Sequence, residues 1–240
     1  MSSLARKAFA EALGTLLLVA TVIGSGIAAQ LLSPHDVGLQ LLENALITGA
    51  VLVAMILTLG SVSAVFNPLV ALSERLFGAI TTRDAGVFIA AQFVGGAAGA
   101  VMTDPMFDRS AVQLSTHDRT GGGLWLGEVV ATCALLPVIF GVVRGGRGPH
   151  VAYAVAGAIT AMYWATSSAS FANPTVTVAR TLSNTFAGIA RPRYPASCSR
   201  SWPAPPARSG CSIRTRPQSP VSSPHRPSTA TSAPLPEGPR

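Results

Sequence analysis

The sequence predicts an all-α membrane protein built as an inverted repeat, with five transmembrane helices and two re-entrant half-helices. Three observations carry that expectation. Long stretches hold no charged residue, Asn-Pro pairs sit inside the two longest of them, and a Glu-x-x-x-Thr pair occurs once in each half. The 240 residues are 49% hydrophobic and 11% charged, with a mean hydropathy of +0.45, which suits a polytopic membrane chain better than a water-soluble domain.

The first uncharged run, Ala12–Leu32, is long enough to span a bilayer and is expected to remain as a span, not to be cleaved as a signal. The second, Asn44–Ser73, has 30 residues, and the third, Ala85–Thr103, has 19. The fourth, Val129–Val143, extends backward through Glu128 and Gly127 to Leu124, and the fifth, Val151–Ala179, has 29 residues. A single span needs about 20 residues, so the second and fifth runs are too long for one. A span followed by a half-length helix accounts for the excess. Proline suits the first helical position and asparagine is among the best N-caps, so Asn67-Pro68 and Asn173-Pro174 are expected to start short helices inside the membrane.

Glu11–Thr15 in the first span and Glu128–Thr132 in the fourth mark the start of each repeat. Three spans per unit would invert the second copy, which brings the half-helices together from opposite faces near the midplane. The expected boundaries are 4–190 for the transmembrane domain, with a first repeat over 4–105 and an incomplete second over 120–190. Residues 191–240 form a basic tail with twelve prolines and ten serines, expected to be disordered, and it leaves the second repeat without a third span.

Charge sorts along the same line. Residues 1–190 hold nine Arg/Lys and nine Asp/Glu, and residues 191–240 hold eight Arg against Glu237, so the tail supplies the whole net charge of +7. The partner of the rest is the lipid bilayer, and no nucleic-acid partner is expected. With the N-terminus cytoplasmic, Arg6, Lys7, Arg75, Arg83, Arg144 and Arg147 lie inside and Arg109, Arg119 and Arg180 outside, as the positive-inside rule prefers. The expected location is therefore the cell membrane, crossed several times. Gly95 and Gly99 form a GxxxG seam for helix packing, and Gly24 and Gly26 flank Ser25.

Chemistry-bearing clusters are few. Cys133, Cys198 and Cys211 form neither a disulfide framework nor a metal site. His117 and Asp118 in THDRTGGG are too few for a metal centre and read as a solvated loop. Neither a cofactor nor a metal is expected, and without a nucleophile–base pair or phosphate loop the chain is not expected to be an enzyme.

On the motifs Asn67-Pro68-Leu69 and Asn173-Pro174-Thr175, both intramembrane Glu-x-x-x-Thr pairs, and Gln92 before Gly95-Gly96, residues 4–190 resemble the aquaporin (major intrinsic protein) family. The resemblance implies a passive channel for water and small neutral solutes, assembled as a homotetramer. In it, Asn67 and Asn173 line the pore as well as capping their helices. The positive ends of both half-helices repel cations and protons. Glu11 and Glu128 would be structural, each accepting hydrogen bonds from re-entrant backbone, in contrast to the proton relay that intramembrane acids otherwise suggest.

Departures from the family pattern are specific. Leu69 and Thr175 stand where alanine is usual, SAVFNP is one residue shorter than the usual approach to the first motif, and Val65 replaces its histidine. Val176 stands where the family has its filter arginine. Counting from Asn173 places the other filter positions at Ala161 and Ser170, and the second span supplies Thr48 or Ile47 according to the residue counted from. With valine at 176 and no large aromatic in this set, the expected pore is wide, for glycerol-sized neutral solutes and arsenite as As(OH)3. Two alternatives remain: an ion-coupled inverted-repeat transporter, and a defective channel product whose reading frame was lost near Ala190, since a frameshifted GC-rich gene yields strings of Arg, Pro, Ser and Ala.

Overall fold

A computed structural model describes residues 3–116, 122–168, 172–185 and 188. The chain divides into two units, Met1–Tyr194 and Pro195–Arg240, and every described residue lies in the first. The expectations for the 191–240 tail, and for His117 and Asp118, lie outside the described residues.

Among the described residues seven α-helices follow in order: α1 Ser3–Leu32, α2 Val37–Leu59, α3 Pro68–Leu76, α4 Thr82–Thr103, α5 Gly122–Arg144, α6 Val151–Ala165 and α7 Pro174–Ala179. No strand occurs among the described residues. The long helices overrun the uncharged runs, because caps and backbone hydrogen bonds decide where a helix starts. Asp36 caps α2 by accepting from the Leu39 N–H at 2.9 Å, and Thr81 caps α4 by accepting from the Asp84 N–H at 3.1 Å. Charged Lys7, Glu11, Glu43 and Arg83 therefore lie inside helices.

Ser3–Leu32, Val37–Leu59, Thr82–Phe107 and Gly122–Arg144 are long and apolar enough to cross a membrane. The fifth expected span differs. Helix α6 has 15 residues, about 22 Å at ~1.5 Å per residue, against a hydrocarbon thickness of about 30 Å. It stops because Thr166 turns extended, at φ −122° and ψ 145°.

Helices α1 and α4 form the most extensive pair. A methyl group added at Gly95 would lie 2.0 Å from the Ala12 carbonyl oxygen, and one at Gly99 would lie 2.4 Å from that of Leu16, so the two backbones touch where the GxxxG seam runs. Asn44 fastens α2 to α1 by donating to the Val22 carbonyl at 2.9 Å and the Ser25 hydroxyl at 2.8 Å. Helix α2 in turn packs on α6, with Gly49 directly under Thr160. Among the described residues, helix α5 has no such cover on one face. Leu69 of α3, Trp125, Val129 and Cys133 of α5, and Pro174 and Val178 of α7 bound an open apolar groove of about 480 Å³. Val129 and Cys133 follow Glu128 by one and five positions, as Ala12 and Leu16 follow Glu11, so the groove corresponds in the repeat to the seat that α4 fills on α1.

Candidate functional site

Asparagine before proline acts locally first. Asn67 and Asn173 hold extended backbone at φ −149° and −148°. Asn67 Oδ1 accepts from the Leu69 N–H at 2.9 Å, and Asn173 Oδ1 accepts from the N–H groups of Thr175 at 3.1 Å and Val176 at 3.4 Å. Pro68 and Pro174 take first-turn positions where no N–H is required. With their oxygens turned into their own helices, the amide nitrogens reach across to the other repeat. Asn67 Nδ2 donates to the Ala172 carbonyl at 2.7 Å, and Asn173 Nδ2 donates to the Phe66 carbonyl at 2.8 Å. Each half-helix thus holds the residue that precedes the other.

That exchange requires an unusual backbone. Phe66 and Ala172 are left-handed, at φ 49° and 36°, a conformation that costs a non-glycine residue about 1–2 kcal/mol. The intramembrane acids brace it. Glu11 Oε2 accepts from the Phe66 N–H and from Gln92 Nε2, both at 2.8 Å, while Oε1 accepts from the Val65 N–H at 2.8 Å and from the Ser63 hydroxyl. Glu128 Oε2 accepts from the Ala172 N–H at 2.9 Å. In both repeats, then, a carboxylate from the opening span holds the N–H of the residue before asparagine. Both Glu11 oxygens are filled by two donors each.

Beside this junction runs a cavity of about 370 Å³. Helix α2 lines it with Thr48, Leu52 and Ile56, spaced one turn apart, and Gly60 just past its end continues the stripe; α5 lines it with Leu135, Ile139 and Val143, and α6 with Val151, Val155 and Ile159. Leu18, Val22 and Val176 face them, and Asn67 and Asn173 contribute the polar points at the centre. The charged lining residues are Lys7 and Glu74, at the end where α3 reaches its charged last turn. Burial pushes the Glu74 carboxyl above its ordinary range, repulsion from Glu11 adds to this, and Lys7 opposes it.

The filter positions reached by counting are not brought together. Thr48 and Val176 line the cavity, both nearly fully buried. Ile47 is 42% exposed and Ala161 is exposed, and neither lines it. Ile47 sits about 100° around α2 from Thr48, which is the one of those two counted positions that lines this cavity. Ser170 lies outside the described residues. Tyr163, which is not one of the counted positions, is buried, and its hydroxyl lies 3.1 Å from Thr48 Oγ1.

The third motif residues point away from the cavity. Thr175 packs its methyl against Gly96 of α4, where an added Cβ would come within 2.6 Å, and Leu69 faces the lateral groove. Their departure from alanine is a matter of helix packing. Counting could not find the left-handed Phe66 and Ala172 or the Tyr163 hydroxyl, because each depends on where a neighbouring element stops.

The Major intrinsic protein family profile matches residues 1–149. The chain is 46% identical over 187 residues to the aquaglyceroporin AqpS of Rhizobium meliloti (strain 1021), an alignment spanning 78% of this chain and 79% of that protein.

Proposed function

The chain belongs to the major intrinsic protein family, whose members are channels and not enzymes, and on that premise we propose that the cavity beside Asn67 and Asn173 is a passive path for water, glycerol and arsenite as As(OH)3. One observation supports this above the others. Beyond the mouth at Lys7 and Glu74, the lining carries no charged side chain among the described residues, and its polar side chains are Asn67, Asn173, Ser63 and Thr48. Each amide nitrogen has one hydrogen engaged across the junction and a second to offer a passing oxygen. A neutral solute finds hydrogen bonds there, whereas an ion finds no counter-charge to replace its hydration.

Val176 is the residue that sets width in this reading. It lies in the hydrophobic cluster with Leu18, Val22 and Leu52, and it borders the cavity at the same time. An arginine there would add bulk and a fixed charge to the path. The identity of the Rhizobium meliloti relative as an aquaglyceroporin agrees with a pore wide enough for polyols. The orientation with a cytoplasmic N-terminus, which rests on the Arg/Lys distribution, and a homotetrameric assembly belong to the same proposal.

Val176→Arg is expected to lower glycerol and arsenite uptake by about tenfold, the scale on which one pocket side chain discriminates, with a smaller effect on water. Proteoliposome swelling in glycerol and arsenite gradients measures it, and unchanged uptake of both at equal protein density defeats the assignment. The backbone N–H at 176 keeps its bond to Asn173 in the variant, so the half-helix start is preserved.

A further inference from the structure

The seat that holds α4 has its parts repeated in the second half of the chain. Gly95 and Gly99 meet the backbone of Ala12 and Leu16, Gly96 takes the Thr175 methyl, and Gln92 donates to Glu11 at 2.8 Å. The repeat puts Val129 and Cys133 in place of Ala12 and Leu16, Leu69 in place of Thr175, and Glu128 in place of Glu11. All four of these line the open groove beside α5. Burial follows the same division. In the most apolar 18 residues of each helix, 56% are buried in α1 and 17% in α5, and Trp125 on the groove wall is 72% exposed.

The groove's own backbone favours protein over lipid as its cover. Ala172 and Asn173 line it with non-helical backbone, at φ 36° and −148°, and such backbone at membrane depth is stable only under protein. The chain's own helix of matching pattern, α4, is committed to α1. Beyond Arg180 no uncharged run exceeds ten residues, about half a span. We infer that the groove receives a membrane-spanning helix of a second polypeptide, which carries small residues at i, i+1 and i+4 and an amide donor at i−3. Its direction follows from the template. Gly95 pairs with Ala12 and Gly99 with Leu16, so α4 runs parallel to α1, and the docked helix runs parallel to α5. Small residues let its backbone close onto Val129 and Cys133, the contact that brings helices together where lipid removes any hydrophobic drive. Its amide meets Glu128 as Gln92 meets Glu11, where one carboxylate oxygen takes both a backbone N–H and the amide.

The test uses a synthetic peptide of residues 82–103, which has the required pattern and no tryptophan. The full chain carrying Trp164→Phe and Trp202→Phe keeps Trp125 as its one fluorophore of that type. It is reconstituted in phosphatidylcholine brominated along one acyl chain, which quenches a tryptophan that lipid touches. Quenching should be strong without peptide and should fall by about half once the peptide is well above its Kd. A peptide carrying Gly95→Leu and Gly99→Leu should leave it unchanged. In the unmodified chain, the first peptide should raise the melting temperature in detergent by about 3 °C and the second should not. Weak quenching before any peptide is added would mean that the chain itself or a second copy already covers the groove, and overturns the inference. So does quenching that neither peptide relieves, with no change in melting, since lipid is then the occupant. Equal effects of the two peptides overturn it as well, because the small-residue contact then selects nothing. None of these readouts depends on transport.

Discussion

Glu11→Ala is expected to cost the folded state about 4 kcal/mol, on the scale of removing one partner from a buried charged network. The carboxylate accepts from Val65 and Phe66 N–H, from Gln92 and from Ser63, and it is itself fully buried. Alanine would leave all four donors without an acceptor, and each such loss costs about 1–3 kcal/mol when water cannot replace it. The effect reaches the site through Phe66, whose left-handed backbone presents its carbonyl to Asn173. Glu11→Gln should fall between the two, at about half the loss, because one amide end keeps accepting while the other turns two donors against its own N–H groups. Thermal unfolding in detergent with recovery of monodisperse protein measures both. A Glu11→Ala variant that melts with the parent would show that the carboxylate does not brace the re-entrant segment.

Gly95→Val should be as damaging for a different reason. Helices α1 and α4 meet backbone to backbone, and the Cβ of any replacement would fall 2.0 Å from the Ala12 carbonyl and 2.9 Å from its Cα. Neither neighbour is a flexible side chain that can swing aside, so the helices must separate. The expected loss is about 3 kcal/mol, the upper end of ordinary overpacking, and the displaced α4 would draw Gln92 away from Glu11. The control lies on the same helix. Nothing approaches within 4 Å of a Cβ at Gly86, so Gly86→Ala should be neutral or stabilise by up to about 1 kcal/mol through helix propensity. Equal melting points for the two variants would remove the close-contact argument.

What the chain announces in sequence is mostly local chemistry. Asn-Pro names a helix start wherever it falls, and α3 and α7 begin where the pairs sit. The repeated Glu-x-x-x-Thr was equally legible, because a carboxylate inside an apolar run stands out against its surroundings. The resemblance pointed to Gln92, but the pairing of its amide with Glu11 depends on how α4 seats on α1. Filter residues were less legible because they were reached by counting. Counting assumes an unbroken register between Asn173 and α6, yet α6 ends at Ala165 and the chain turns extended at Thr166. The left-handed Phe66 and Ala172 give no compositional sign at all, since glycine is the residue that usually marks such a position.

The reciprocal asparagine exchange also has a consequence in time. The partners in these two bonds stand 105 and 107 positions apart in the chain. At a synthesis rate of about 5–20 residues per second, the first half-helix leaves the ribosome some 5–20 seconds before its counterpart exists. For that interval the Phe66 carbonyl and the Asn67 amide must be satisfied by whatever the insertion machinery or trapped water offers. The first half can be inserted but not finished; its last two hydrogen bonds are written by the second.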